Sequence, residues 1–231
     1  MTELLRKVIC IRALADDLSF LRTVTNRMTR ILDSRFNIFE LSNQASHADA
    51  ILRLRKESYD LAVFFAHGGS DYIRGGEYQI RATGEIIETE KFLTRGDLGI
   101  FEGKVVFCMS CNSNDLAQSA IDCGALAFVG FSKIPFNQFD ENDNPIGSHV
   151  LVKHSQDILA EAVKASLERF VTGRGTLDES VNFLRFFLIR RAIEYVRNNK
   201  SVKERREVAA LLLQTKNGLL YHGQKGIRFE P

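Results

Sequence analysis

The chain lacks an excess of charge of either sign: 31 Lys and Arg stand against 29 Asp and Glu in 231 residues, a formal net charge of +2. No global field therefore draws it to nucleic acid or to an anionic membrane, and neither is expected as a partner. It also lacks long apolar runs. Nowhere do 18 uncharged apolar residues occur together, and the N-terminal run Leu4-Leu5-Arg6-Lys7-Val8-Ile9-Cys10-Ile11 is too short, and too soon followed by Asp16-Asp17, to read as a signal peptide. A cytoplasmic protein is the expectation.

Cysteine is scarce. Cys10, Cys108, Cys111 and Cys123 are the only four, all in apolar strand-like or helix-end contexts, so reduced thiols are expected. Cys108 and Cys111 have no second Cys or His pair to complete a zinc site, and the acids between Asn137 and Asn144 lack the spacing of a calcium-binding EF-hand loop, so no metal is expected. There is no G-x-S-x-G elbow, which sets aside a serine-esterase reading of His67-Gly68-Gly69.

What is present is a βα series. Lys7 to Arg12 is a short β-branched run, followed by Leu18, Leu21, Val24, Met28 and Ile31-Leu32 at helical spacing. Phe36 to Leu41 reads as a second strand, Ser46 to Asp49 as a capping box, and Tyr59 to Phe65 as a strand buried on both faces. Lys104 to Met109 and Ala125 to Phe131 read as a fourth and a fifth strand around a helix over about 114–122. Between the two series, Gly69 to Gly103 is too long for a simple βα loop. It predicts a hairpin (Tyr78 to Ala82, Glu85 to Thr89) and a short helix near 90–98.

Ile134 to Ser148, with Pro135, Pro145 and no periodicity, predicts a mobile loop. Three helices follow: one striped by Leu159, Val163, Leu167 and Phe170, one opened by a box at Thr176 to Glu179 and running through Tyr195, and one opened by a box at Ser201 to Glu204 and stopping at Asn217-Gly218. Leu219 to His222 predicts a terminal strand or hairpin arm. The basic residues Lys203, Arg205 and Arg206 read as a solvated face. The expected organisation is one α/β domain over 1–231: a core sheet carrying the site (1–133), the loop (134–148), and a helical C-terminal part (149–231).

In an open parallel sheet, ligands bind beyond the carboxyl ends of the strands, where the winding reverses. The third strand ends in Ala66-His67-Gly68-Gly69 and the fourth in Ser110-Cys111-Asn112-Ser113, so neighbouring strands would raise an imidazole and a thiol, 44 residues apart in sequence, to one rim. The thiolate is the reactive form of cysteine, and an adjacent imidazole can take its proton and later protonate a leaving amine. The backbone N–H groups of Gly68 and Cys111 would stabilise the developing oxyanion. Cys10, Cys108 and Cys123 read as packing residues, and His47, His149, His154 and His222 as surface or loop residues.

These motifs resemble the caspase-like peptidases, and within them the bacterial CHAT and related branches. The likeness is carried by Val63-Phe64-Phe65-Ala66-His67-Gly68, Val105 to Ser113, and Cys123-Gly124-Ala125-Leu126-Ala127-Phe128-Val129-Gly130, and it spans roughly Lys7 to Lys133. It implies an α/β/α sandwich with a mainly parallel central sheet and C-terminal helices. It also implies cysteine endopeptidase activity without a cofactor, a protein or peptide substrate, and activation by a protein partner or by cleavage. Met109 stands two residues before Cys111, where relatives cutting after Arg or Lys carry an acid and those cutting after Asp carry Gln. With Ser110 and Gly69 it is expected to line the pocket for the residue preceding the scissile bond, P1, and to favour an uncharged side chain.

A reading from another class is a non-catalytic interaction module, either receiver-like or a caspase fold without activity. Asp16-Asp17 after the first strand and Lys133 after the fifth favour the receiver, but the third strand ends in His67 where a phospho-accepting Asp belongs.

Overall fold

The computed structural model describes residues 4–42, 44–76, 78–79, 86–87, 91–132, 134 and 148–230. In chain order the elements are β1 (Leu4–Leu5), β2 (Val8–Ala13), α1 (Arg22–Leu32), β3 (Phe36–Leu41), α2 (Gln44–Lys56), β4 (Leu61–Phe65), β5 (Tyr72–Arg74), β6 (Tyr78–Gln79), β7 (Ile86–Ile87) and β8 (Lys91–Thr94). Then come β9 (Val105–Met109), α3 (Asn114–Asp122), β10 (Ala127–Phe131), α4 (His149–Val171), α5 (Leu177–Asn198), α6 (Arg205–Gly218), β11 (Leu219–Gly223) and β12 (Arg228–Phe229). Two 3-10 stretches, Asp16–Leu21 and Arg95–Phe101, lie just before α1 and just after β8.

The central sheet runs β11-β10-β9-β4-β2-β3. Its first five strands in sequence are parallel, and β11 is antiparallel at the edge. β-Branched and aromatic runs such as Leu61-Ala62-Val63-Phe64-Phe65 and Val105-Val106-Phe107-Cys108-Met109 are buried along their whole length, as a strand covered on both faces requires. Alternate residues then serve opposite cores. Cys10, Val63, Phe65, Phe107 and Met109 pack with α1, α4, α5 and α6, while Ile9, Ala62, Phe64, Val106 and Cys108 pack with α2, α3 and Leu98-Phe101. The result is an α/β/α sandwich.

Among the parallel strands the order is 2-1-3-4-5, so the winding reverses between β2 and β4 and the crevice opens beyond their carboxyl ends. The terminal strand expected at Leu219 forms and completes the sheet on β10, and β12 pairs in parallel with β1. The helical part is thereby laced back into the core.

Several local expectations are corrected. Residues 91–94, expected to be helical, are a strand paired antiparallel with β5, and the 3-10 stretch follows them. The box expected at Ser46 is not a cap. α2 begins at Gln44, and the Ser46 hydroxyl instead accepts the Ser42 N–H at 2.9 Å. α6 starts at Arg205 with no side-chain cap, whereas the Thr176 box forms as expected. The hairpin expected around residues 78–89 is present as β6 paired with β7. Its turn, and 135–147 of the expected mobile loop, lie outside the described residues.

Candidate active site

The β4/β9 pairing matches Leu61 with Val105 and Phe65 with Met109, and Ala66 N–H extends it to the Met109 carbonyl at 3.4 Å. The same register, carried two residues further, sets His67 opposite Cys111. Both follow residues of the α1/α4 face, and both line one small cavity with Asp17, Leu18, Phe20, Leu21, Ala66, Met109 and Ile134. The expected pair is therefore brought together at the carboxyl ends of β4 and β9, beside the switch point of the sheet.

Two features of the turn after β9 fix Cys111. Asn112, immediately after it, adopts a left-handed φ of 55°, which asparagine tolerates better than most residues, and its N–H donates to the Ser132 carbonyl at 3.2 Å. The buried Ser113 hydroxyl lies 2.8 Å from both the Cys108 and Ser110 carbonyls and accepts the Phe131 N–H at 3.0 Å. The turn out of β9 is thus stapled to the end of β10. Cys111 is only partly buried. Its sulfur accepts the Ile134 N–H at 3.4 Å, and its thiol donates to the Ile134 carbonyl at 3.5 Å.

His67 Nε2 lies 3.0 Å from Asp17 Oδ1, with the two side chains 17% and 25% exposed. A carboxylate oxygen accepts, so Nε2 carries the proton and Nδ1 is the basic nitrogen. Sequence reasoning noticed Asp17 only as a possible receiver acid. The signal that it belongs to the site was the sheet order, because β2 lies beside β4 and the first turn after it must meet the end of β4.

Gly68 is held in an antiparallel bridge to Ile73, framed by hydrogen bonds from Arg74 N–H to the His67 carbonyl (2.8 Å) and from Gly69 N–H to the Tyr72 carbonyl (3.0 Å). In such a non-hydrogen-bonded pair the Gly68 N–H points away from β5. A Cβ on Gly68 would come within 2.1 Å of Ser110 Oγ, so close packing also demands glycine here.

Ser110 and Gly69, expected to line the P1 pocket, do not line this cavity. Ser110 is buried beneath Gly68, its hydroxyl without a partner among the described residues, and Gly69 lies against the Tyr72 ring. Met109 does line it. The segment 69–76 is fastened by β5 and β8 and by Arg95, which donates to the Ser70 and Asp115 carbonyls (3.1 and 3.3 Å) and to Ser119 Oγ (2.8 Å).

The remaining thiols and imidazoles sort by environment. Burial pushes the Cys108 thiol up to about 12, and Cys10 likewise, so neither yields thiolate near neutrality. Cys123, expected inside an apolar element, is exposed at the end of α3. His47 and His154, expected on the surface or in loops, are half-buried helical residues packed edge-on against Phe92 and Tyr195, and His222 lies in β11. Among the described residues no cluster of His, Cys, Asp and Glu could hold a metal ion, and no helix is long and apolar enough to cross a membrane.

A scan against protein-family models finds no match, and a search of curated proteins finds no similar one.

Proposed function

We propose that the chain is a caspase-like cysteine endopeptidase in which Cys111 is the nucleophile, His67 the general base and Asp17 the residue that orients and charges His67. The observation that carries this reading is the convergence of all three side chains on one cavity at the switch point of the sheet, with Asp17 3.0 Å from His67 Nε2.

In the proposed cycle His67 Nδ1 takes the thiol proton, and the thiolate attacks the scissile carbonyl carbon. The negative charge that develops on the carbonyl oxygen is met by the N–H groups of Gly68 and Cys111. Collapse breaks the C–N bond as imidazolium protonates the departing amine. Water then hydrolyses the thioester by the same base. The Cys111 sulfur also lies 3.5 Å from the Ile134 carbonyl, a contact that yields as His67 receives the proton. Binding of a partner, or cleavage of the chain, would release it.

The cavity holds only about 20 Å3 and has to open to admit a side chain, and its walls Leu18, Phe20, Leu21, Met109 and Ile134 favour an apolar P1 group. A guanidinium or ammonium group placed against them unpaired costs several kcal/mol. Asp71, an acid that could in principle have neutralised such a charge, is paired with Lys91 at 3.2 Å.

The test is a series of peptides with a thiol-reactive warhead, varied only at P1. Apolar members should label the wild-type protein on Cys111, lose labelling in Cys111→Ala, and label His67→Ala more slowly by at least about 100-fold. Labelling of Cys123 alone, or a dominant preference for Arg or Lys, would sink the reading.

A further inference from the structure

A second cavity, of about 210 Å3, opens at the carboxyl end of β2 and is walled by Arg12, Leu14, Leu18, Ser19 and Arg22. Arg12 lies on the same face of β2 as Cys10, and only 7% of it is exposed. Its guanidinium is incompletely satisfied. One terminal nitrogen is ion-paired with Glu40, the other is 3.4 Å from Thr25 Oγ1, and Nε has no partner among the described residues. Buried charge is ordinarily compensated in full, so a buried guanidinium sharing one half-exposed carboxylate retains capacity for a second anion. Arg22, across the cavity and exposed, has no acidic partner among the described residues. Both charged side chains that line the cavity are guanidinium groups, and the fork of each matches a carboxylate or phosphoryl group.

Leu18 is a wall of both this cavity and the one holding Cys111 and His67. An extended peptide advances about 3.3 Å per residue, so a chain with one side chain in the first cavity passes a nearby side chain over the second. We propose that the Arg12/Arg22 cavity is an oxyanion subsite. It takes the carboxylate or phosphoryl group of a peptide side chain that lies within a few residues of the apolar side chain entering beside Cys111. The peptide half of this statement rests on the peptidase reading; the anion site itself does not.

The experiment uses the full chain carrying Cys111→Ala, so that no turnover occurs, and calorimetric titration with peptides differing at one position: Glu, Gln or phosphoserine. The Glu or phosphoserine peptide should bind about tenfold or more tightly than the Gln peptide, with the preference weakened by salt. Arg22→Ala should erase that preference and Arg22→Lys retain part of it. Arg22 is exposed at the start of α1, so its loss leaves the fold intact, whereas replacement of the buried Arg12 would disturb the core. Stronger binding of the phosphoserine peptide assigns a phosphoryl ligand; equal or stronger binding of the Glu peptide assigns a carboxylate. Equal binding of the Glu, phosphoserine and Gln peptides, or a preference unmoved by Arg22→Ala, overturns the proposal. If inorganic phosphate binds in an Arg22-dependent way while no peptide binds, the anion site stands and its link to the peptidase site falls.

Discussion

At the scale of single residues, side chains with similar sequence surroundings take different roles because of what surrounds them in space. Cys108 and Cys111 are three positions apart, yet one is sealed in the α2/α3 core and the other stands at the rim. The alternation of a strand makes that division visible in the sequence, and the His67/Cys111 pair was legible for the same reason. Asp17 was not, because Asp16 and Asp17 are equivalent as letters and only the turn into the 3-10 stretch puts Asp17 against His67. The role assigned to it gives a specific expectation. Asp17→Asn keeps a polar group near Nε2 but removes the charge that holds the tautomer and stabilises imidazolium, so kcat should fall by about 10- to 100-fold with KM nearly unchanged. Steady-state kinetics on an apolar-P1 peptide measures this. A change confined to KM would make Asp17 a substrate contact instead.

At the scale of elements, the long apolar strands and the helix over 114–122 were readable because burial on both faces and a 3.6-residue period leave unambiguous patterns. The short pieces were not. Lys91-Phe92-Leu93-Thr94 becomes a strand only through its pairing with β5, nearly twenty residues earlier, and such long-range pairing leaves no local signature. Likewise Ser46 and Ser201 carry capping-box spacing, but α2 starts two residues before the first, and α6 starts four residues beyond the second.

The hairpin after β4 illustrates how an element holds a site. Gly68 presses its backbone on Ser110, so Gly68→Ala would drive a methyl group to 2.1 Å from Ser110 Oγ and 2.9 Å from the Tyr72 carbonyl. Overpacking of this kind costs about 1–3 kcal/mol. Ser110 Oγ has no hydrogen-bond partner among the described residues, so Ser110→Ala alone should be close to neutral and should recover part of the loss when combined with Gly68→Ala. Urea unfolding of the two single variants and the double variant measures the coupling, and strictly additive losses would show that Ser110 is not what confines Gly68.

At the scale of the whole molecule, the C-terminal half is bound to the sheet by polar ties as well as by its apolar helix faces. Arg27 of α1 donates two hydrogen bonds to Glu168 of α4, at 2.9 and 2.6 Å. Asp178, in the first turn of α5, accepts the Thr176 hydroxyl at 2.8 Å and the Gly226 N–H at 3.0 Å, which fastens the segment leading to β12. The hydrogen bond and charge of Arg27 hold the Glu168 carboxyl below its ordinary range. For Asp178 burial pushes upward, but the hydrogen bonds from Gly226 and Thr176 outweigh it and the net shift is downward. A carboxyl whose pKa is lower folded than unfolded adds stability that is complete above the unfolded value, near 4, and is lost as pH falls through the folded value. The protein should therefore lose stability from about pH 5 downward. Asp178→Asn should be less stable at pH 7 by about 1 kcal/mol and lose less than the wild type on acidification, because amide and acid then differ least. Glu168→Gln should show the same sign with a smaller amplitude, since its pair faces solvent and is screened by salt. The chain has no tryptophan, so the unfolding free energies are best followed by far-ultraviolet circular dichroism at pH 3 to 7. An Asp178→Asn protein whose stability falls with pH as steeply as the wild type's would remove Asp178 from the acid response and leave the tie to Gly226 as packing alone.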